Sequence, residues 1–157
     1  MTPLNPDLDL ELTRLMQATP AQIWRCWTDP ELLPLWWAPK PVTTRHAVID
    51  LRPGGRFHTL MILPDGTEYP TEGCLLEVLP ERRLTMTEVL EAGFRPAANP
   101  MLRFTAVITL TPEGKATRYT ARAMHSSPDT RQQHVEMGFH DGWGTAATQL
   151  EALASTL

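Results

Sequence analysis

Histidine is the side chain whose unperturbed titration falls near neutrality, so acid-base chemistry would first be sought at His46, His58, His125, His134 and His140. Alternation along their strands turns His46 and His58 outward, and a helical wheel turns His134 away from the apolar stripe described below. These three read as surface positions. His125 instead ends an inward-facing run on the last predicted strand, after Tyr119, Ala121 and Ala123. His140 borders the helix stripe with Glu136 one turn earlier on the same side. A carboxylate at that spacing can orient an imidazole as a general base, and it is equally an ordinary helix pair. His125, His140 and Glu136 are therefore the candidate catalytic groups. No His-x-x-x-His pair or carboxylate cluster has metal-ligand spacing.

Other reactive-looking arrangements reduce to ordinary structure. Gly54-Gly55 between Pro53 and Arg56 suits a phosphate at first sight, but such a cradle needs a following helix N-terminus, and here a strand follows. It reads as a hairpin turn. No Gly-x-Ser-x-Gly elbow is present, and Asp50 and Arg52 alternate onto one strand face, to pair with each other or with Arg56 as a surface salt bridge. Cys26 and Cys74 fall in a predicted helix and a predicted strand without metal spacing, so both read as buried free thiols. No motif implies a cofactor or a bound metal.

Composition bounds what these residues can belong to. A chain of 157 residues is one domain with a real core, and 42% hydrophobic with 20% charged residues suits a globular protein. The net charge of -4 with no basic stripe argues against nucleic acid. No run approaches the roughly 18 apolar residues of a membrane span. The start, Met1-Thr-Pro-Leu-Asn-Pro-Asp, lacks the features of a secretion signal, so the expected location is cytoplasmic.

The elements that must position the candidates are separated by prolines, 15 in all. A strand spans Leu8 to Met16, a helix runs from Pro20 to Trp27 behind Thr19 as N-cap, and Asp29 caps a second short helix from Pro30 to Trp37. Strands follow at 43–51, 55–63, 68–79, 82–90, 101–111 and 116–125, with turns such as Pro64-Asp65-Gly66 between them. The spacing then predicts one long helix from Pro128 to Leu157, with Val135, Phe139, Trp143, Ala146, Leu150, Leu153 and Leu157 on a single stripe. The order defines an α+β fold in which a seven-stranded antiparallel sheet wraps that helix.

Gly138, Gly142 and Gly144 interrupt the helix, each at about 1 kcal/mol of propensity relative to alanine. Either another backbone approaches closely there or the helix roofs a space. Phe57, Thr59 and Met61 on one strand, Phe104 and Ala106 on another, and Tyr119 and Ala121 on the last all face the helix. Small residues opposite a glycine-containing half-helix leave unfilled volume between the layers. A cavity bordered by Val135 to Gly144 is the expectation, with Ala146 to Leu157 packed tightly below it.

Several motifs recur here in a familiar order: Thr19-Pro20-Ala21 with Ile23-Trp24, Trp27-Thr28-Asp29-Pro30-Glu31-Leu32, Trp36-Trp37, Asp50-Leu51-Arg52-Pro53-Gly54-Gly55-Arg56-Phe57, Pro64-Asp65-Gly66, Gly73 with Leu84, Gly142-Trp143 and Leu150. In this the chain resembles the START-like, helix-grip superfamily also called SRPBCC. The nearest branch is the one named for the C-terminal domain of the activator of the heat-shock protein 90 ATPase. The likeness runs from about residue 8 to 154, so residues 1–157 read as a single START-like domain. It implies a curved antiparallel sheet gripping a long C-terminal helix, with two short helices after the first strand.

Superfamily members bind lipids, sterols, polyketides or plant hormones, and some are cyclases or aromatases. The resemblance therefore implies an apolar small-molecule ligand, with a cyclase or hydrolase using His125 or His140 as the alternative. The expected lining is Trp37, Phe57, Thr59, Met61, Phe104, Ala106, Tyr119, Ala121, His125, Phe139 and Trp143. Trp36 and Trp37 either gate the mouth or anchor their loop. The activator itself makes its main chaperone contact through a separate N-terminal domain, for which 157 residues leave no room, so no chaperone partner is expected. A homodimer is compatible with all of these readings.

Overall fold

The computed structural model describes residues 2–157. In chain order the elements are β1 (Asp9–Met16), α1 (Pro20–Thr28), β2 (Thr43–Ile49), β3 (Arg56–Ile62), β4 (Glu68–Leu79), β5 (Arg83–Thr87), β6 (Leu90–Glu91), β7 (Arg95–Pro96), β8 (Phe104–Glu113), β9 (Ala116–His125), α2 (Pro128–Glu136) and α3 (Phe139–Ala154). Seven strands form one curved antiparallel sheet in the order β1-β9-β8-β5-β4-β3-β2, while β6 and β7 make a separate small hairpin. The first strand completes the sheet beside the last, with Leu12 opposite Ala121 and Leu10 opposite Ala123. The C-terminal helices lie across the concave face, and α1 packs against α3. This is the helix-grip arrangement expected from the element order.

Local chemistry explains why the ends fall where they do. Thr19 Oγ1 accepts from the Gln22 backbone N–H at 3.2 Å, and Gln22 Oε1 accepts from the Thr19 N–H at 2.8 Å, so two orphan donors of α1 are satisfied reciprocally. Substituting Thr19 by alanine should lower stability by about 1 kcal/mol, read from the urea unfolding midpoint with an unchanged slope. After α1, Asp29 Oδ1 takes the Glu31 N–H at 2.9 Å. The second short helix predicted from Pro30 to Trp37 is only one 3₁₀ turn, Leu33–Leu35. Pro34 sits inside it and supplies no N–H for a continued α-helical ladder.

The larger departure is at the C-terminus, where the predicted single helix is two. Gly138 stands between them at φ +91°, in the left-handed region, and begins α3 by accepting the Gly142 N–H at 2.7 Å. This turn re-aims α2 relative to α3, so one helical wheel cannot describe both. Within α3, Leu150 and Ala154 are fully buried in the main core with Ala146 and Ala147 above them, but Leu153 is only partly buried and Leu157, beyond the helix end, is exposed, so the tight packing expected through Leu157 stops short of it. Strand ends shift as well. β5 stops at Thr87 and β8 starts at Phe104, leaving the small hairpin and a loop through Met101 and Leu102 between them.

Candidate functional site

A cavity of about 290 Å³ lies between the concave sheet face and the C-terminal helices. That is close to the smallest volumes, about 300 Å³, at which small-molecule sites are found. Trp27, Trp36 and Trp37 close one side of it, Phe57, Met61, Ala106, Tyr119 and Ala121 form the sheet wall, and Phe139, Gly142, Trp143, Ala146 and Ala147 form the helix wall. Met101 and Leu102 border it from the loop before β8. The tryptophans brace one another edge-on, with Trp27 and Trp36 centroids 5.0 Å apart and Trp37 5.4 Å from Phe57. Trp36 is held as an anchor, since its indole N–H donates to the Cys26 carbonyl at 2.9 Å. Trp37 is only partly buried and reaches both the cavity and the loop.

The glycines of the helix have three different causes. Gly142 borders the cavity, and a Cβ built there meets nothing within 4 Å. Gly138 makes the break between α2 and α3. At Gly144 a Cβ would lie 3.0 Å from an Arg14 guanidinium nitrogen, outside the cavity. The helix wall also extends one turn further than expected, to Ala147.

Of the residues expected to line this space, Trp37, Phe57, Met61, Phe104, Ala106, Tyr119, Ala121, Phe139 and Trp143 do so. Thr59 is fully buried, but its hydroxyl is tied to that of Thr71 at 2.6 Å, and Thr71 rather than Thr59 reaches the wall. His125 is buried one layer back and does not border the cavity. His140 is exposed in a shallow outer groove with Arg14 and Asp141. Glu136 ends α2 and its carboxylate is 3.4 Å from the Gln132 amide, so the helix break separates it from His140 and the expected pair is absent. Neither belongs to the cavity.

His134, expected on the surface, is 6% exposed and stands in the cavity wall. It packs on Phe104, Phe139 and Trp143 with centroid separations of 5.0, 5.2 and 5.6 Å. Its Nδ1 is 2.9 Å from His125 Nε2, and His125 Nδ1 is 2.7 Å from the Leu8 carbonyl. Burial, with His125 beside it, pushes the His134 pKa down to about 4, and burial lowers that of His125 as well. His58 is also less exposed than expected: it points to the opposite sheet face as alternation requires, but the His46 ring at 3.2 Å and Glu72 at 3.1 Å cover it.

Glu88, just beyond β5, is a second group that pattern reading passes over. It lines the cavity, and among the described residues its carboxyl makes no ion pair or side-chain hydrogen bond. Desolvation raises its pKa to about 7. Glu72, the other acidic residue on the wall, is by contrast paired with Arg56 and held below the usual carboxylate range. The phenol of Tyr119 is pushed well up by burial, with the Trp27 indole N–H as a polar neighbour. That N–H is itself buried without an acceptor in hydrogen-bond geometry. No group of three or more His, Cys, Asp or Glu that could hold a metal occurs among the described residues, and both cysteines are free and buried. No helix of the described residues is long and apolar enough to cross a membrane.

Sheet, grip helices and the cavity between them together define a START-like domain. The family described as activator of Hsp90 ATPase homolog 1-like protein matches residues 17–155, and the chain belongs to it. Protein NE0264 from Nitrosomonas europaea is 47% identical, with a TM-score of 0.93 over 98% of this chain and 97% of that one. Protein Ms6760 from Mycobacterium smegmatis is 30% identical, with a TM-score of 0.79 over 94% and 90% of the two chains. An AHSA1-like protein from Aeromonas hydrophila, 16% identical over 95% and 93% of the two chains with a TM-score of 0.72, shares the fold. No curated protein gives a significant match.

Proposed function

We propose that this protein binds an apolar small molecule in the cavity between its sheet and its C-terminal helices. The observation that carries the reading is the 290 Å³ space walled by tryptophan, phenylalanine, methionine and alanine, with Gly142 left open toward it. Burying apolar ligand surface there contributes about 25 cal/mol per Å² before association costs, so aromatic and aliphatic molecules are favoured. The reading requires neither a chaperone partner nor a second copy of the chain. The catalytic alternative loses His140 and Glu136, which lie outside the cavity, and has His125 only behind His134.

Titration with the fluorescent probe N-phenyl-naphthylamine tests the reading, with saturable one-to-one binding expected. Gly142→Leu should weaken that binding by about tenfold or more, because the new side chain occupies the cavity. It should leave the thermal midpoint unchanged or higher, since leucine is the better helix former by roughly 0.8 kcal/mol. Absence of saturable binding, or equal affinity in Gly142→Leu, would sink the reading.

A further inference from the structure

We propose that His134 is the hydrogen-bond acceptor for the bound molecule, so that the cavity selects an apolar ligand bearing a hydroxyl donor, such as a phenol. This rests on the cavity-binding reading above, and adds to it a polar pole with a defined direction.

The direction follows from a chain of obligatory roles. A carbonyl oxygen only accepts, so the Leu8 carbonyl, 2.7 Å from His125 Nδ1, places the proton on that nitrogen. The same carbonyl takes the His125 backbone N–H at 3.0 Å, which fixes the ring beside it. A neutral imidazole protonated at Nδ1 has its lone pair on Nε2. That lone pair is 2.9 Å from His134 Nδ1, which must therefore be the donor. His134 is left with an unprotonated Nε2.

This last nitrogen makes no hydrogen bond within the described residues. Nor is it one of the polar atoms sealed away without a partner, which are Trp27 Nε1, Thr44 Oγ1 and Thr109 Oγ1. Besides His125, the rings packed on His134 are those of Phe104, Phe139 and Trp143, and these three are cavity walls. An open acceptor on a 6% exposed residue inside an apolar wall can be satisfied by a donor brought in with the ligand. Both rings are neutral at physiological pH. Burial disfavours their charged forms, and the charges near His125, Asp9 and Arg131, act in opposite directions on it. Neutrality is what keeps Nε2 an acceptor rather than a second N–H.

Glu88 is the competing acceptor. It stands on the other side of Phe104, where its backbone N–H bonds the Phe104 carbonyl at 3.2 Å. The experiment therefore compares para-hexylphenol with its methyl ether, para-hexylanisole, by calorimetry on wild type, His134→Phe and Glu88→Gln. Wild type should bind the phenol about tenfold more tightly, the equivalent of one good hydrogen bond. His134→Phe should bring the two affinities to within about twofold of each other while keeping the ether's, and Glu88→Gln should retain the preference.

Imidazole nitrogen shifts of the wild-type protein provide a readout independent of any variant's folding. His134 should be the Nδ1–H tautomer, with the Nε2 signal moving upfield on adding the phenol and not on adding the ether. An Nε2–H tautomer, equal wild-type affinities, or a preference that survives His134→Phe and vanishes in Glu88→Gln would overturn the proposal. Equal binding of both probes overturns this inference alone, whereas failure of both to bind overturns the cavity reading with it.

Discussion

Gly55→Ala is expected to lower stability by about 3–5 kcal/mol, enough to leave little folded protein at growth temperature. A Cβ at this position would overlap the Asp50 carbonyl oxygen and would lie 2.8 Å from the Asp50 carbonyl carbon and 2.9 Å from the Arg52 carbonyl oxygen. All three obstacles are backbone, so no side-chain rotation relieves them. The backbone cannot easily retreat, because the Gly55 N–H is bonded to Arg52 at 2.8 Å and its carbonyl accepts from Leu75 N–H at 2.9 Å. Those bonds tie the turn before β3 to the middle of β4, beside the wall that carries Phe57. Gly66→Ala is the control. Its φ of +89° makes alanine strained, but a Cβ there meets nothing within 4 Å, so the cost should be only about 1–2 kcal/mol. Thermal unfolding should separate the two, with a fall of about 10 °C or more for Gly55→Ala and clearly less for Gly66→Ala.

Stability near neutral pH should carry opposing contributions from two titratable groups of the cavity wall, His134 and Glu88. His134 titrates at about 4 in the folded protein, against about 6.5 in an unfolded chain. Between those values the unfolded state binds a proton that the native state refuses. Stability therefore falls as pH drops through this window, by up to about 3 kcal/mol. Glu88 acts in reverse. Its folded value of about 7 lies above the ordinary 4.5, so the native state retains a proton the unfolded chain has released, and stability falls as pH rises between them. The windows overlap from about 4.5 to 6.5, where the slopes offset each other.

Glu88→Gln removes only one of these contributions. It should be nearly neutral at pH about 3.5, where the native and unfolded carboxyls are both largely protonated. At pH about 7.5 it should stabilise by roughly 2 kcal/mol, allowing for the partial exposure of the side chain. It should also steepen the acid limb set by His134, with His125 adding to it in the same direction. Urea unfolding across this range gives the slopes directly. A pH-independent effect of Glu88→Gln would mean that its carboxyl is solvated and that the offset does not exist.

What could be read from the residue order is what short-range chemistry enforces. Thr19 with Gln22 makes its cap wherever the rest of the chain goes, and Pro64-Asp65-Gly66 makes its turn for the same reason. Strict alternation on β3, β8 and β9 placed Phe57, Phe104, Ala106, Tyr119 and Ala121 on one face, and the apolar stripe of α3 supplied the surface to cover it. The family resemblance led to the same order of elements. The expected second short helix exceeds the observed turn, Leu33–Leu35, because proline is tolerated in a first helical turn, whereas Pro34 falls too late in its segment to start one.

The site's polar half was illegible because it depends on one backbone angle and on long-range pairings. Gly138 at φ +91° appears in the sequence only as a poor helix former, yet it decides which way α2 turns His134. Leu8 and His125 are 117 residues apart, and nothing local to either signals that one carbonyl will set the tautomer of two rings. Glu88 carries no periodic signal, and its desolvation exists only once the chain has folded it into the cavity wall. Residue types and spacing thus determined the layers and the apolar wall, whereas only the structure set Gly142, open to the cavity, apart from Gly138 and Gly144. Only the tertiary structure decided which polar groups face inward, because burial and hydrogen-bond direction arise from neighbours distant in the chain.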